Sequence, residues 1–317
     1  MKDSLLDILC CPHCHSSLMI SGAEYTAQNY IISGLLVCTQ CQLKYPILHG
    51  VPLFSAESLE SDITANNFSG QWDMRRRGFF ESNEVFGFNP TEYLENFKYS
   101  FQIQDVNLPG EFILEAGVGS GVLFLELAKK SPQSHIIGVD IASTVFFLES
   151  NVRHYENAHI IQADIALLPL KSLRIDKIYS SGVIHHTANM RNSLAELYRL
   201  LKKRGSLFFW IYPAYIFCAY DALRKILYRP YKWRRSTRLC FSWLMAPAMF
   251  LFFFITGKYS YKNNLENFQT IAFRIFDNIS PEFQHRSTAD EILTLCHEVG
   301  IDDPLKINDL GVLCVKK

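Results

Sequence analysis

Two cysteine pairs, Cys11 with Cys14 and Cys38 with Cys41, are each spaced Cys-x-x-Cys and stand 23 residues apart. A tight turn of this kind offers two thiolates, so two turns can close a tetrahedral shell around one zinc ion. A closed four-thiolate shell leaves no position for substrate, and the predicted role is therefore structural. Cys10, His13 and His15 lie close by, but a complete four-cysteine site needs none of them. Five of the nine cysteines fall before residue 42 and the rest are scattered in apolar surroundings, which favours a metal site over a disulfide framework.

A second group surrounds the run Glu115-Ala116-Gly117-Val118-Gly119-Ser120-Gly121. It follows an apolar stretch, Phe112 to Ala116, and precedes a helical pattern, Val122 to Lys130. Glycines at a strand-to-helix turn permit the turn and let a ligand approach the backbone. Asp140 comes 23 residues after Gly117, at the end of the next apolar run, His135 to Val139. A carboxylate there can accept ribose hydroxyls. Asp164, behind the run Ala158 to Gln162, can meet an adenine amino group or cap a helix. The spacing alone would also suit a nicotinamide-dependent dehydrogenase.

These residues need elements to hold them, and the chain supplies an alternation of strand and helix patterns. Further apolar runs occupy Ile175 to Ser180 and Ser206 to Tyr212, with a helix from Asn192 to Lys203 that places Leu194, Leu197, Tyr198 and Leu201 on one face. Thr288-Ala289-Asp290-Glu291 is a capping box opening a helix that Gly300 can close, and two short strand-like runs follow it. Alternating strands and helices predict an α/β fold: a Rossmann-like, mainly parallel sheet with helices on both faces. At 317 residues the chain is long enough for one large domain and a small one. The boundaries read as a zinc ribbon at 1–54, a linker and helical segment at 55–108, and the α/β domain at 109–317 with a helical insert at 213–270.

Taken in order, Glu-x-Gly-x-Gly-x-Gly, Gly138-Val139-Asp140, Gln162-Ala163-Asp164, Ser181-Gly182-Val183-Ile184-His185-His186-Thr187 and Leu200-Leu201-Lys202-Lys203-Arg204-Gly205 resemble the class I S-adenosylmethionine-dependent methyltransferases. Phe68-Ser69-Gly70-Gln71-Trp72 and Phe276-Asp277-Asn278-Ile279-Ser280-Pro281-Glu282-Phe283-Gln284-His285-Arg286 are similar to a bacterial, largely uncharacterised branch of that family. The ribbon, with Tyr45-Pro46-Ile47 and Gly50-Val51-Pro52, resembles the small zinc-ribbon activator of tRNA and release-factor methyltransferases. The resemblance implies S-adenosylmethionine as cofactor, structural zinc, and a class I sheet whose last strand is antiparallel. It implies a cofactor site at Glu115, Gly117, Gly119, Gly121, Asp140 and Asp164, closed over by Gln71 and Trp72. His185 and His186 would face the acceptor, either as bases or as packing rings, with Tyr212 and His285 near them. The chain departs from the family at Val118 and Ser120, and at Lys202-Lys203-Arg204-Gly205 where relatives carry Lys-Pro-Gly-Gly.

Lys plus Arg and Asp plus Glu both total 31, so no global field attracts nucleic acid. The insert departs from this balance: Ala222 to Leu265 holds nine basic residues and no acid. Within it Leu239 to Thr256 is an uncharged apolar run of 18 residues broken by Pro247. A crossing there would split the sheet across a bilayer, so the expectation is a helical hairpin broken at Pro247 that lies on a membrane or lids the pocket. The start, Met-Lys-Asp-Ser-Leu-Leu-Asp, lacks a signal-peptide pattern, and a cytoplasmic protein, peripheral at the inner face of the membrane, is expected. The expected activity is methyl transfer to a small-molecule or lipid-like acceptor. The alternatives are an RNA or protein methyltransferase, or a non-catalytic cofactor-binding scaffold; the sequence leaves acceptor and oligomeric state open.

Overall fold

The computed structural model describes residues 1–54, 63–80, 88–214, 219–255, 267–308 and 311–317. At the N-terminus β1 (Leu18–Tyr25), β2 (Ile31–Cys38), β3 (Lys44–Leu48) and β4 (Val51–Pro52) form an antiparallel sheet in that order. Helices α1 (Ile63–Arg76) and α2 (Pro90–Phe101) lead to a second sheet. It is built from β5 (Phe112–Ala116), α3 (Val122–Lys130), β6 (His135–Asp140), α4 (Thr144–Val152), β7 (Ala158–Gln162), β8 (Ile175–Ser181), α5 (Met190–Leu200) and β9 (Leu201–Trp210). Then come α6 (Ala219–Ile226), α7 (Arg235–Ile255), α8 (Asn267–Ile279), α9 (Ala289–Glu298), β10 (Leu305–Lys306) and β11 (Gly311–Val315).

The seven-stranded sheet has the order β10-β11-β9-β8-β5-β6-β7. β5 to β9 run parallel to one another, and β11 pairs antiparallel with both β9 and β10. The strand runs are nearly continuous in apolar residues because both faces are covered; every residue of β7 is buried. After β7 the chain returns to the other side of β5, so the order reverses between β5 and β8. That reversal opens a crevice at their carboxyl ends, the usual ligand position in such sheets.

The ribbon and the large sheet share one core. Leu53 bridges Gln162 at the β7 edge, and Phe54 N–H donates to Gln162 O at 2.9 Å. Leu9 bridges Leu170, while Leu5, Ile8 and Leu9 pack in one cluster with Ile161, Leu168 and Leu170. The Met1 amino group donates to Ile31 O at 2.7 Å, and burial pulls its pKa down to about 4.

Three expectations change in the folded chain. α1 starts at Ile63, inside the polar part of the 55–108 segment, because apart from Met74 the residues it buries (Thr64, Ala65, Asn67, Gly70, Gln71) are small or polar and leave no apolar period. The helix expected to reach Lys203 ends at Leu200, where Leu201 joins β8 beside Ile175. Arg204 then adopts φ 64°, the left-handed conformation for which the family's glycine is suited. Finally, α7 passes through Pro247 as one helix instead of breaking there. Packing on both sides of the proline, through Ser242, Ala246, Met249 and Phe253, offsets the roughly 3 kcal/mol that an interior proline costs through its missing N–H and its ring clash. Lys258, Tyr259, Tyr261, Lys262 and Cys218 lie outside the described residues.

Candidate active site

The glycine loop follows β5 directly. Gly117 has φ 90°, and a Cβ there would lie 2.3 Å from Val183. Gly119 has φ 50°, and its Cβ would come within 2.8 Å of the Trp72 ring. Both positions thus require glycine for conformation and for space. Gly119 N–H donates to Asp140 Oδ2 at 2.7 Å, and Ala142 N–H donates to Oδ1 at 2.8 Å. Asp140 therefore clamps the loop to the end of β6, and each carboxylate oxygen keeps a further lone pair for a ligand hydroxyl. Burial raises its pKa, against the pull of these N–H donors. Glu115 is also buried, and its Oε2 has no partner. Burial, then the neighbouring Asp140, push its carboxyl well above the usual range. Asp164 accepts Ala166 N–H at 2.8 Å and so caps the turn after β7.

Helix α1 closes the crevice. Gln71 is fully buried and donates Nε2–H to Asp277 Oδ1 at 2.7 Å, while its Oε1 has no partner. Trp72 lies over Gly119 and against Phe273, with centroids 6.0 Å apart, and Phe68 meets His186 at 5.2 Å. Outside Trp72 runs a groove of about 640 Å³ lined by Ser69, Arg75, Arg76, Ser120 and Thr144. This groove borders the loop but does not include the histidines.

His185 and His186 occupy the short turn after β8, their ring centroids 4.1 Å apart. His185 is fully buried, both ring nitrogens lack partners, and Tyr212 packs on it at 4.0 Å. Burial holds its pKa well below the ordinary value, so the ring is neutral. His186 Nδ1–H donates to Phe283 O at 3.0 Å, and burial lowers its pKa to about 4. His285 Nε2–H donates to Thr187 O at 3.0 Å and its backbone N–H to His185 O at 2.9 Å, fixing the turn from behind.

Asp277 was not foreseen as a site residue, although its motif was visible. Its Oδ2 accepts from Tyr212 Oη at 3.3 Å, and burial pushes its pKa up to about 6. The available signal was a lone acid on the buried side of an otherwise acid-free helix, Asn267–Ile279. Gln71, Asp277, Tyr212 and His185 thus form one contiguous polar file from distant segments.

In the ribbon, the sulfurs of Cys11, Cys14, Cys38 and Cys41 all lie within 4.8 Å of one another, with Cys14–Cys38 at 3.4 Å and Cys11–Cys41 at 3.6 Å. Four Zn–S bonds of about 2.3 Å in a tetrahedron need edges of roughly 3.8 Å, so the donor set fits zinc. His15 and Gln42, each following the second cysteine of a knuckle, take φ 57° and 62° and turn the chain back. Gln40 and Cys41 N–H groups both point at Cys38 Sγ, favouring its thiolate. Cys10 stands outside this set, buried, with its backbone N–H donating to Pro169 O at 2.9 Å.

A mainly parallel sheet with this strand order, a clamped glycine loop at its switch point and an acid ending the next strand are the arrangement expected of a class I methyltransferase domain. Residues 114–209 match the methyltransferase domain family and residues 2–50 match the Trm112p-like protein family. The large sheet thus carries a methyltransferase-domain match and the ribbon a Trm112p-like match. Among curated relatives, a malonyl-[acyl-carrier protein] O-methyltransferase of a Methylovorus species is 30% identical over 33% of this chain and 38% of the relative. An uncharacterised chloroplastic methyltransferase of Arabidopsis thaliana is 20% identical over 72% of this chain and 66% of its own length. The chain thus spans less than two thirds of either relative. A magnesium protoporphyrin IX methyltransferase from Synechocystis, solved with bound SAH, is 15% identical, with TM-score 0.48 over 80% of this chain and 98% of that one.

Proposed function

We propose that the protein transfers a methyl group from S-adenosylmethionine to a small or lipid-like acceptor seated against Tyr212, Asp277 and His185. The observation that carries this reading is the set of buried polar atoms without partners around the β5 and β8 ends: Glu115 Oε2, Gln71 Oε1 and both His185 nitrogens. Such atoms cost about 1–3 kcal/mol each unless a ligand completes them. Glu115, Asp140 and the loop from Gly117 to Gly121 would hold the cofactor, with Trp72 closing over it. When bound, S-adenosylmethionine supplies an electrophilic methyl on a sulfonium sulfur. The chain's task is to align the acceptor, keep water out and take up a proton. Phe68, Tyr212 and the two histidine rings wall the crevice. Asp277 has the carboxyl placed and tuned for the proton: with a pKa near 6 it is ionised at neutral pH, yet more basic than an exposed Asp. S-adenosylmethionine would give up its methyl group and be released as S-adenosylhomocysteine, and Asp277 would take the acceptor's proton as the acceptor–methyl bond forms. The Methylovorus relative's name supports oxygen as the methylated atom.

The test is to incubate the zinc-loaded protein with methyl-labelled S-adenosylmethionine and cell lysate, then separate organic extract, RNA and protein. Label in the organic or small-molecule fraction, lost in Asp277→Asn, supports the reading. Label confined to RNA or protein would transfer the activity to a macromolecular acceptor. No cofactor binding by folded protein in calorimetry would end the enzymatic interpretation.

A further inference from the structure

Helix α7 faces outward with its apolar side. Ser242, Ala246, Met249 and Phe253 are buried, whereas Cys240, Leu244, Pro247, Leu251 and Ile255 on the opposite side are exposed. Leu244 is 76% exposed and Ile255 74%. Residues 240–255 contain no charge, and their one hydroxyl, Ser242, turns inward to Arg238 O at 2.8 Å. Of the helix's most apolar 18-residue window, 28% is buried. A surface helix ordinarily turns polar residues to water, so this reversed arrangement marks a face built for another apolar phase.

The segment leading into the face is basic. Lys225, Arg229, Lys232, Arg234 and Arg235 are exposed, and residues 222–255 hold no acid. Ile226 and Tyr228, 80% and 79% exposed, add apolar tips among these charges. Two of the basic residues that the sequence placed on a lipid-facing surface are in fact turned inward. Arg238 is 2% exposed and donates to Tyr231 O and Asn67 Oδ1, and Arg224 donates to the carbonyls of Asn278, Pro281 and Glu282.

We propose that α7 and the basic segment before it dock the protein on an anionic lipid bilayer, with the helix lying in the interface. The orientation follows from the sheet. β9 precedes α7 and β11 follows it, and the two are paired directly, Phe209 with Val312, so both ends of α7 stay on one side of the bilayer. The inner side of α7 is also already covered by α8, through Ala246, Met249 and Ile271 among others. Anionic lipid is the occupant that answers the charge: five exposed cations lead into the apolar face, and residues 222–255 hold no acid, so the same surface of a second copy offers them no carboxylate. Docking stands independently of methyl transfer, but it deepens that reading, since α8 lies under α7 and carries Asp277. A lipid-borne acceptor would then be presented beside the site.

The experiment is cosedimentation of the full chain with vesicles of phosphatidylcholine, with and without phosphatidylglycerol, over a salt series. Wild type should bind the anionic vesicles at least tenfold better than the neutral ones. Leu244→Gln with Leu251→Gln should reduce partition tenfold or more. Lys225→Gln, Lys232→Gln and Arg234→Gln should each cost about fivefold at low salt and flatten the salt dependence. All five side chains are exposed, so unchanged thermal unfolding should accompany the losses. Wild type remaining in the supernatant, or binding unaffected by either set, overturns the proposal. So does a solution dimer that dissociates in the Leu244/Leu251 variant without vesicle binding, because the occupant is then a second copy. Calorimetry with S-adenosylmethionine on the same samples separates the two readings: cofactor binding without vesicle binding removes docking alone, and the reverse removes methyl transfer alone.

Discussion

Replacing Asp140 by Asn keeps its shape and removes half of its accepting capacity. In the native loop the two carboxylate oxygens accept Gly119 N–H at 2.7 Å and Ala142 N–H at 2.8 Å. Asn has one carbonyl oxygen, so one of these N–H groups must then face an NH2 donor. A hydrogen bond to a charged partner contributes about 1.5–3 kcal/mol, and a stranded buried donor costs about 1–3 kcal/mol. The closed loop should therefore lose roughly 2–4 kcal/mol relative to an open one. The free protein can relax by opening the loop, whereas the bound form must close it, so the loss falls on affinity. At about 1.4 kcal/mol per tenfold, S-adenosylmethionine should bind between thirtyfold and several hundredfold more weakly. Isothermal titration calorimetry measures this, with far-UV circular dichroism confirming that the variant remains folded at the titration temperature. A folded Asp140→Asn protein that binds within threefold of wild type would refute the clamp.

Cys14→Ser combined with Cys38→Ser should release one zinc per chain, read by elemental analysis, and lower the stability of the whole protein. Leu5, Ile8 and Leu9 sit in the same core as the sheet, and at about 1.5–3 kcal/mol per buried side chain the loss is on the order of 5 kcal/mol. Retained zinc, or loss of metal with an unchanged unfolding transition, would contradict the shared core. Burial, with Lys2, His135 and the N-terminus beside it, holds the His159 pKa down to about 3. The folded ring stays neutral while the unfolded chain takes up a proton below about 6.5, so this stability is present above that pH and declines as pH falls. Between pH 7 and 5 the decline should be about 2 kcal/mol, and His159→Gln should escape it in urea unfolding. A gap between wild type and variant that does not change with pH would show that His159 takes up its proton as readily in the fold as in the unfolded chain.

Elements set by local rules were legible without the structure. The strand from Phe112 to Ala116 and the helix from Val122 to Lys130 fall where their patterns end, and Thr288 and Glu291 form the reciprocal cap written in their spacing. The cysteine knuckles and the glycine loop were readable for the same reason: each joins residues a few positions apart, whose geometry is fixed by backbone conformation. Tertiary structure decided what distant segments do together. Residues 71, 212 and 277 meet through side chains on three separate segments, and no periodicity in any one of them encodes the meeting. The start of α1 at Ile63 was not legible within the segment read as linker and helix, because the residues it buries there are mainly small or polar, and Arg238 was counted as surface because a cation's partners are invisible until the carbonyl of Tyr231 and the amide of Asn67 are placed around it. The ribbon's cysteines announce a metal, but its place against β7 depends on backbone bonds from Phe54 and Cys10 to residues more than 100 positions away. Short-range sterics and hydrogen bonding write themselves into sequence spacing, while complementarity between separated surfaces exists only once the chain has folded.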